Sequence, residues 1–454
     1  MIPRPMKSVF RTLMAAAFLL AGAACRREPA GDKDITLTIA TVNNPDMVIM
    51  EKASRAFTEQ TGIKLTFVAM DENELRRSVT EDVVVAGGKY DIVTIGTFDT
   101  PFWGKNRWIE SLEPYFAKLP KEELERYDRN DLLKPIRDAL SADGQQYALP
   151  FYGESSMIYY RKDLFANAGL KMPEAPTWEE IRTLAKKLNN PSKGIHGIAL
   201  RGMPGWGQNM TVVLTIFNTF GARWYDMNWK AQFTTPEARR AFAFYRRILQ
   251  ESGEPIPEKV GFLEGLHLMA DGKAAMWYDA TVGGGMLEGP DSKVAGKIGY
   301  ALAPTVRKEN AGWLWAWALA IESSSKNKEA AFRFITWATS KEYIRLVGET
   351  VGWAQAPPGS RVSTYTNPAY LKAAPFAEIT LKSIQGVDYQ KPTLQPVPYI
   401  GIQYLSIPEW QEFGEQVSQY VADYLTEKKS LDETLQACQE TSNTIAIRAG
   451  YQKQ

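Results

Sequence analysis

Ile35-Thr36-Leu37-Thr38-Ile39-Ala40-Thr41 alternates apolar and polar residues as a strand does, and it breaks at Val42-Asn43-Asn44-Pro45. The period then changes: residues 47–60 read as a helix ending at Gly62, and residues 63–69 alternate again. Residues 72–85 predict a second helix stopped by Gly87-Gly88, and Asp91-Ile92-Val93-Thr94-Ile95 is a short, nearly continuous apolar strand of the kind buried on both faces. Strand, helix, strand, helix, strand at this spacing predicts βαβ units and a doubly wound α/β sheet. Ligands bind such sheets beyond the carboxyl ends of the strands, which here are residues 41–44 and 96–100.

The middle of the chain repeats the alternation. Thr177-Trp178-Glu179-Glu180 is a capping box, with Thr177 as N-cap and Glu180 three residues on, opening a helix through Leu188. Residues 198–200 predict a short strand, Thr235-Pro236 starts a helix through Leu249, and Ala274-Ala275-Met276-Trp277-Tyr278 predicts another strand. Helices near 327–347 and 409–447 follow. With no internal repeat and no long Pro/Gly/Ser linker, two α/β lobes joined by short crossings are expected rather than two independent beads.

Composition narrows the chemistry. The 454 residues are 44% hydrophobic and 23% charged, an ordinary soluble balance large enough for two domains. Lys+Arg 53 against Asp+Glu 52 leaves a formal charge of +1, so no overall field favours nucleic acid or a membrane surface. The two histidines, His196 and His267, have no ligand-spaced neighbours, so neither a metal site nor Ser/Cys-His catalysis is expected. No cofactor is expected either. In contrast, 13 Trp and 20 Tyr supply flat rings with polar edges, suited to the CH faces and hydroxyls of carbohydrates and polyols.

At the N-terminus, Arg4, Lys7 and Arg11 precede an apolar run from Leu13 to Leu20 and the small-residue stretch Ala21-Gly22-Ala23-Ala24-Cys25. This is the order of a secretory signal peptide, and the run is shorter than the ~20 apolar residues of a spanning helix. Residues 20–25 also resemble a lipoprotein lipobox that would acylate Cys25, with Gly22 standing where a Leu is usual. Lipidation at Cys25 and plain cleavage after Ala23 or Ala24 both stay open. If Cys25 is removed or acylated, Cys438 is left without a partner and no disulfide framework forms.

Six segments in order carry a resemblance: Tyr90-Asp91-Ile92-Val93, Tyr147-Ala148-Leu149-Pro150, residues 159–170, Pro176-Thr177-Trp178-Glu179-Glu180, Asp271-Gly272-Lys273-Ala274-Ala275-Met276-Trp277 and the signal peptide. Together they resemble the sugar-type extracellular solute-binding proteins of bacterial ABC importers. Residues 276–281 and Gly312-Trp313-Leu314-Trp315-Ala316-Trp317 resemble the branch that binds linear polyols such as mannitol and sorbitol. The resemblance implies a periplasmic monomer with two α/β lobes, residues 26–150 with 304–350 and residues 151–303 with 351–454, closing on ligand and delivering it to permease subunits.

Candidate ligand contacts follow from residue type and position. Asn43 and Asn44 end the first strand, and Phe98 and Asp99 follow the third. Glu154 interrupts an apolar crossing, where the resemblance places a ligand-facing acid; a carboxylate can accept two hydroxyl hydrogen bonds. Met203 and Trp206 lie in the loop Gly202-Met203-Pro204-Gly205-Trp206-Gly207, and Asp279 follows the 274–278 strand. Trp313, Trp315 and Trp317 share one face if extended; Trp313 and Trp315 are expected at the cleft and Trp317 in the core. Trp353 and Arg361 follow the last crossing and are expected to close over ligand, with a surface ion pair the equal alternative for Arg361. The competing expectation is a carbohydrate hydrolase or lyase using Glu154 and Asp279 as acid and nucleophile.

Overall fold

The computed structural model describes residues 35–310 and 312–452; the stretch expected as a signal peptide, Cys25 included, lies outside them. Ten strands occur among the described residues. They are β1 (Thr36–Val42), β2 (Lys64–Met70), β3 (Ile92–Ile95), β4 (Ser141–Ala142), β5 (Gln145–Gln146), β6 (Leu149–Glu154), β7 (Ser156–Arg161), β8 (Met276–Ala280), β9 (Ile298–Leu302) and β10 (Trp315–Ile321). The first sheet has the order β2-β1-β3-β10-β6, with β1 parallel to β2 and β3 and with β10 antiparallel to β3 and β6. The predicted βαβαβ unit is its parallel half, and β3 is buried along its whole length as a doubly covered strand should be.

The second sheet is β8-β7-β9, antiparallel throughout. Of residues 198–200, expected as a strand, only Ala199 is bridged, in parallel to Trp277, and His196 just before them is bridged to Ala274. Gly197 passes so close to the helix Trp178–Leu188 that a Cβ there would lie 2.2 Å from Ala185 O. The helix expected over 47–60 is two, Pro45–Ala53 and Arg55–Thr61. Ser54 separates them, its hydroxyl donating back to Met50 O at 2.6 Å, a bond that competes with continued helix. Both helix N-terminal readings hold: Thr177 and Glu180 form the capping box, and Thr235 caps the helix Pro236–Ser252.

The chain passes from first sheet to second at Ser155, between β6 and β7, and returns between β9 and β10. After the helices Lys328–Ala338 and Lys341–Val347 it goes back to the second lobe, where the helix Ala377–Gly386 packs on β7 and β9. The helices Trp410–Leu425 and Leu431–Arg448 then pack on Asn209–Thr219 and Pro236–Ser252. All seven residues of β10 are buried, each large aliphatic side chain such as Leu319 or Ile321 contributing about 1.5–3 kcal/mol. The run Gly283-Gly284-Gly285 serves close approach: a Cβ at Gly284 would meet the Phe376 ring at 2.5 Å, and one at Gly285 would meet Ala354 O at 2.3 Å.

Gly96, at the carboxyl end of β3, has a similar duty, because a Cβ there would overlap the Trp315 ring at 1.9 Å. Gly96→Ala is expected to displace that ring and lower stability by about 1–3 kcal/mol, read as a shifted urea midpoint with unchanged slope. An unshifted midpoint would show that Trp315 is not held against β3.

Candidate binding site

A cavity of about 380 Å³ lies between the two lobes. Its first wall is set by strand register. Across β10 and β6, Trp315 is paired with Glu154 and Trp317 with Tyr152, and an irregularity after Trp317 ends this alignment. Paired residues on adjacent strands share a face, so Tyr152, Glu154, Trp315 and Trp317 all line the cavity. Asn44 adjoins them; its Oδ1 caps the helix Pro45–Ala53 through Met47 N–H, and its Nδ2 donates to Tyr152 Oη at 2.9 Å. Asn43 and the start of the helix Glu72–Val85, with Glu72 and Arg76, complete this wall.

The second wall hangs on one buried ion pair. Arg201 follows the bridged segment 196–199 and donates to Asp279 of β8 through Nε at 3.0 Å and Nη2 at 2.5 Å. Its Nη1 donates to Gly207 O at 2.9 Å, while Tyr245 Oη donates to Arg201 O at 2.6 Å. Strand, loop and helix are thereby joined, and the loop presents Met203, Trp206 and Gln208 to the cavity beside Phe262 and Glu264. Trp313, packed edge-on against Tyr278, lies between the two walls.

Glu154 is the chemically unusual member. Burial is the main cause that pushes its carboxyl from the ordinary 4.5 up to about 8; Arg201 opposes the rise and the negative charges of Asp279 and Glu72 add to it. Arg201 itself stays charged: burial disfavours its ion, but Asp279 holds its pKa above the usual guanidinium range. The cavity thus combines aromatic faces with a carboxyl poised to donate or accept. Among the described residues no cluster of three or more His, Cys, Asp or Glu could hold a metal, and no helix is long and apolar enough to cross a membrane.

Of the residues singled out from sequence, Asn43, Asn44, Glu154, Met203, Trp206, Trp313 and Trp315 come together on the cavity. Trp317, expected in the core, lines it too, since the bulge falls after it rather than before. Phe98 and Asp99 lie at the contact between lobes instead: Phe98 packs on Trp206 and Tyr404, and Asp99 accepts from Gln411 Nε2 at 3.2 Å. Asp279 lies behind Arg201, fully buried. Trp353 packs over Gly348, away from the cavity. Arg361 is buried in the first lobe, over the Tyr127 ring at 4.7 Å and donating to Thr339 O at 2.8 Å. Sequence reasoning missed Tyr152, Glu72, Arg76, Arg201 and Gln208. The end of β2 was a third strand terminus on the same sheet edge and pointed to Glu72 and Arg76 by the rule that found Asn43.

The sequence family described as bacterial extracellular solute-binding protein matches residues 43–344. A mannitol-binding protein of Pseudomonas aeruginosa is 47% identical over 421 residues, 92% of this chain and 94% of that protein. An erythritol/L-threitol-binding protein of Mycolicibacterium smegmatis is 26% identical, with 69% of this chain and 68% of that protein aligned. The crystal structure of an ABC transporter solute-binding protein from Agrobacterium vitis with bound D-mannitol superposes with a TM-score of 0.88 at 47% identity, over 92% of this chain and 100% of that one. One from Agrobacterium radiobacter in complex with ribitol gives 0.79 at 25% identity, over 91% and 99%.

Glu154 is not the only carboxyl raised by burial: Asp46 is pushed up to about 7, Glu254 to about 8 and Glu322 to about 7. In the unfolded chain these groups titrate near 4, so between about pH 4 and 8 the folded chain keeps protons that the unfolded chain has released. The stability these four groups contribute is therefore full at the bottom of this window and is lost as pH rises through it. Scanning calorimetry should find a lower Tm at pH 8 than at pH 5.5, with a smaller drop in Glu154→Gln; a Tm that rises over this range would contradict it.

Proposed function

Because this chain belongs to the bacterial extracellular solute-binding proteins, we propose that it captures a linear polyol, such as mannitol, sorbitol or arabitol, between its lobes and delivers it to the permease of an ABC importer. One observation carries the choice of ligand: a protein of the same fold and 47% identity over 92% of this chain holds D-mannitol. The cavity chemistry agrees. Trp206, Trp313, Trp315 and Trp317 offer apolar faces to CH groups, while Asn44, Glu154 and Gln208 offer polar groups to hydroxyls. The family is exported, so capture takes place in the periplasm.

Binding is a closure. Ligand touching Asn43, Asn44 and Glu154 on one side and Met203 and Trp206 on the other gains its full contacts only with the lobes together, and so shifts the population toward the closed form. Rotation would occur about Ser155, the return between β9 and β10, and the segment after Val347. The hydrolase or lyase alternative fails on both counts: the relatives are binding proteins, and Asp279 is fully buried and held by Arg201, with no path to a substrate carbon.

Hydroxyl donors favour the carboxylate over the carboxylic acid, so polyol binding is expected to lower the Glu154 pKa from about 8. Calorimetry at pH 7 should then show one D-mannitol bound per chain, without turnover, and release of a proton that disappears in Glu154→Gln. Heat with an amino acid or peptide but with no polyol would overturn the proposed ligand.

A further inference from the structure

Along one edge of the cavity the two lobes meet directly, through residues that also line it. On the first lobe, the helix Glu72–Val85 begins directly after β2, and its first two turns carry Glu72 and Arg76 as a joined pair. Arg76 Nε and Nη2 donate to Glu72 Oε1 at 3.3 and 2.8 Å. The 204–208 loop of the second lobe lies on this pair. Gln208 Nε2 donates to Glu72 Oε2 at 3.2 Å, Asn73 Nδ2 reaches Pro204 O at 3.5 Å, and the Arg76 guanidinium sits 4.0 Å over the Trp206 ring. Trp315 and Trp317 enclose the same guanidinium at 4.7 and 5.0 Å. Sheltered from water between rings, a cation–π contact is at its strongest.

The loop is braced from behind. Gly205 N–H donates to Ser418 Oγ at 2.9 Å, Trp206 N–H to Glu415 Oε2 at 3.3 Å, and Arg201 Nη1 holds Gly207 O at 2.9 Å. Gly207 sets how near the lobes come. A Cβ on it would lie 2.4 Å from Glu72 Oε1 and 3.0 Å from Arg76 Nη2, and its three nearest atoms all belong to the Glu72 and Arg76 side chains of the first lobe. An added methyl at this position therefore collides only when the lobes are together.

We infer that the Glu72–Arg76 pair and the 204–208 loop form a clasp that sets the lifetime of the closed cleft, and with it the rate of ligand release. The ligand measurement below rests on the proposed polyol binding; the clasp itself does not. Its two hydrogen bonds and its ring stack exist only while the lobes are in register, so they act chiefly on opening. Affinity is then tuned through dissociation, at an edge of the cavity where Trp206 and Gln208 belong both to the clasp and to the ligand wall.

The test is Gly207→Ala. Stopped-flow release of D-mannitol is expected to quicken roughly tenfold, with association changed less than about twofold. Small-angle scattering of the empty proteins should give a larger radius of gyration for Gly207→Ala than for the unaltered chain, while cooperative thermal unfolding persists. In a Glu72→Ala background, which removes the atom struck first, the Gly207→Ala effect should shrink. Equal release rates and equal radii would overturn the clasp, as would an undiminished effect in the Glu72→Ala background or loss of cooperative unfolding. If the unaltered chain binds no mannitol, the ligand proposal fails alone: a radius difference between the empty proteins still supports the clasp, and equal radii overturn it.

Discussion

The Arg201–Asp279 ion pair is the point on which the second wall of the cavity depends. A fully buried carboxylate on β8 is tolerable only because a guanidinium binds it through two nitrogens, and the third nitrogen then fixes the loop backbone at Gly207. Removing one partner of such a pair costs about 3–5 kcal/mol, since a charge is left buried without compensation. The pair therefore stabilises the lobe and aims the loop with one set of bonds. Through Gly207 it also determines how closely that loop can approach the Glu72–Arg76 pair.

The first wall obeys a different constraint, the register of β10. This strand arrives late in the chain and inserts antiparallel between β3 and β6, which brings Trp315 opposite Glu154 and Trp317 opposite Tyr152. A carboxyl surrounded by rings is poorly solvated, and its preference for the neutral form follows from that burial. Hydroxyls of a bound ligand would add donors to the Trp313 hydrogen bond that already favours the charged form. Stability of the empty protein and affinity for ligand thus draw on the same group in opposite senses as pH rises.

The parallel half of the first sheet was legible because strand and helix periods alternate cleanly from Thr36 to Ile95 and because Gly62 and Gly87-Gly88 punctuate them. Capping boxes were legible for the same local reason, as Thr177 and Glu180 need only each other. Asn44, Glu154 and Trp206 could be picked out as polar or aromatic residues at strand ends and crossings. What escaped was non-local. Glu72 and Arg76, one helical turn apart, read as a solvated ion pair until the Trp206 loop is seen lying on them. The partner of Asp279 is 78 residues away, and nothing near Arg201 in sequence announces it. Arg361 was placed by chain order after a crossing, whereas the chain there still follows the first lobe, with Leu133 N–H donating to Ser360 O at 2.9 Å; Trp353 folds back over Gly348 at the end of the preceding helix.

The central claim is that one polyol is held between the lobes by both walls at once. A crystal structure of the protein grown with D-mannitol tests it most directly. The account predicts density for a single extended polyol in the cavity, with hydroxyls within hydrogen-bond reach of Glu154 and Asn44 from one lobe and of the Arg201–Gln208 segment from the other. Mannitol bound to one lobe alone, or outside the cavity lined by Trp315 and Trp206, would contradict it.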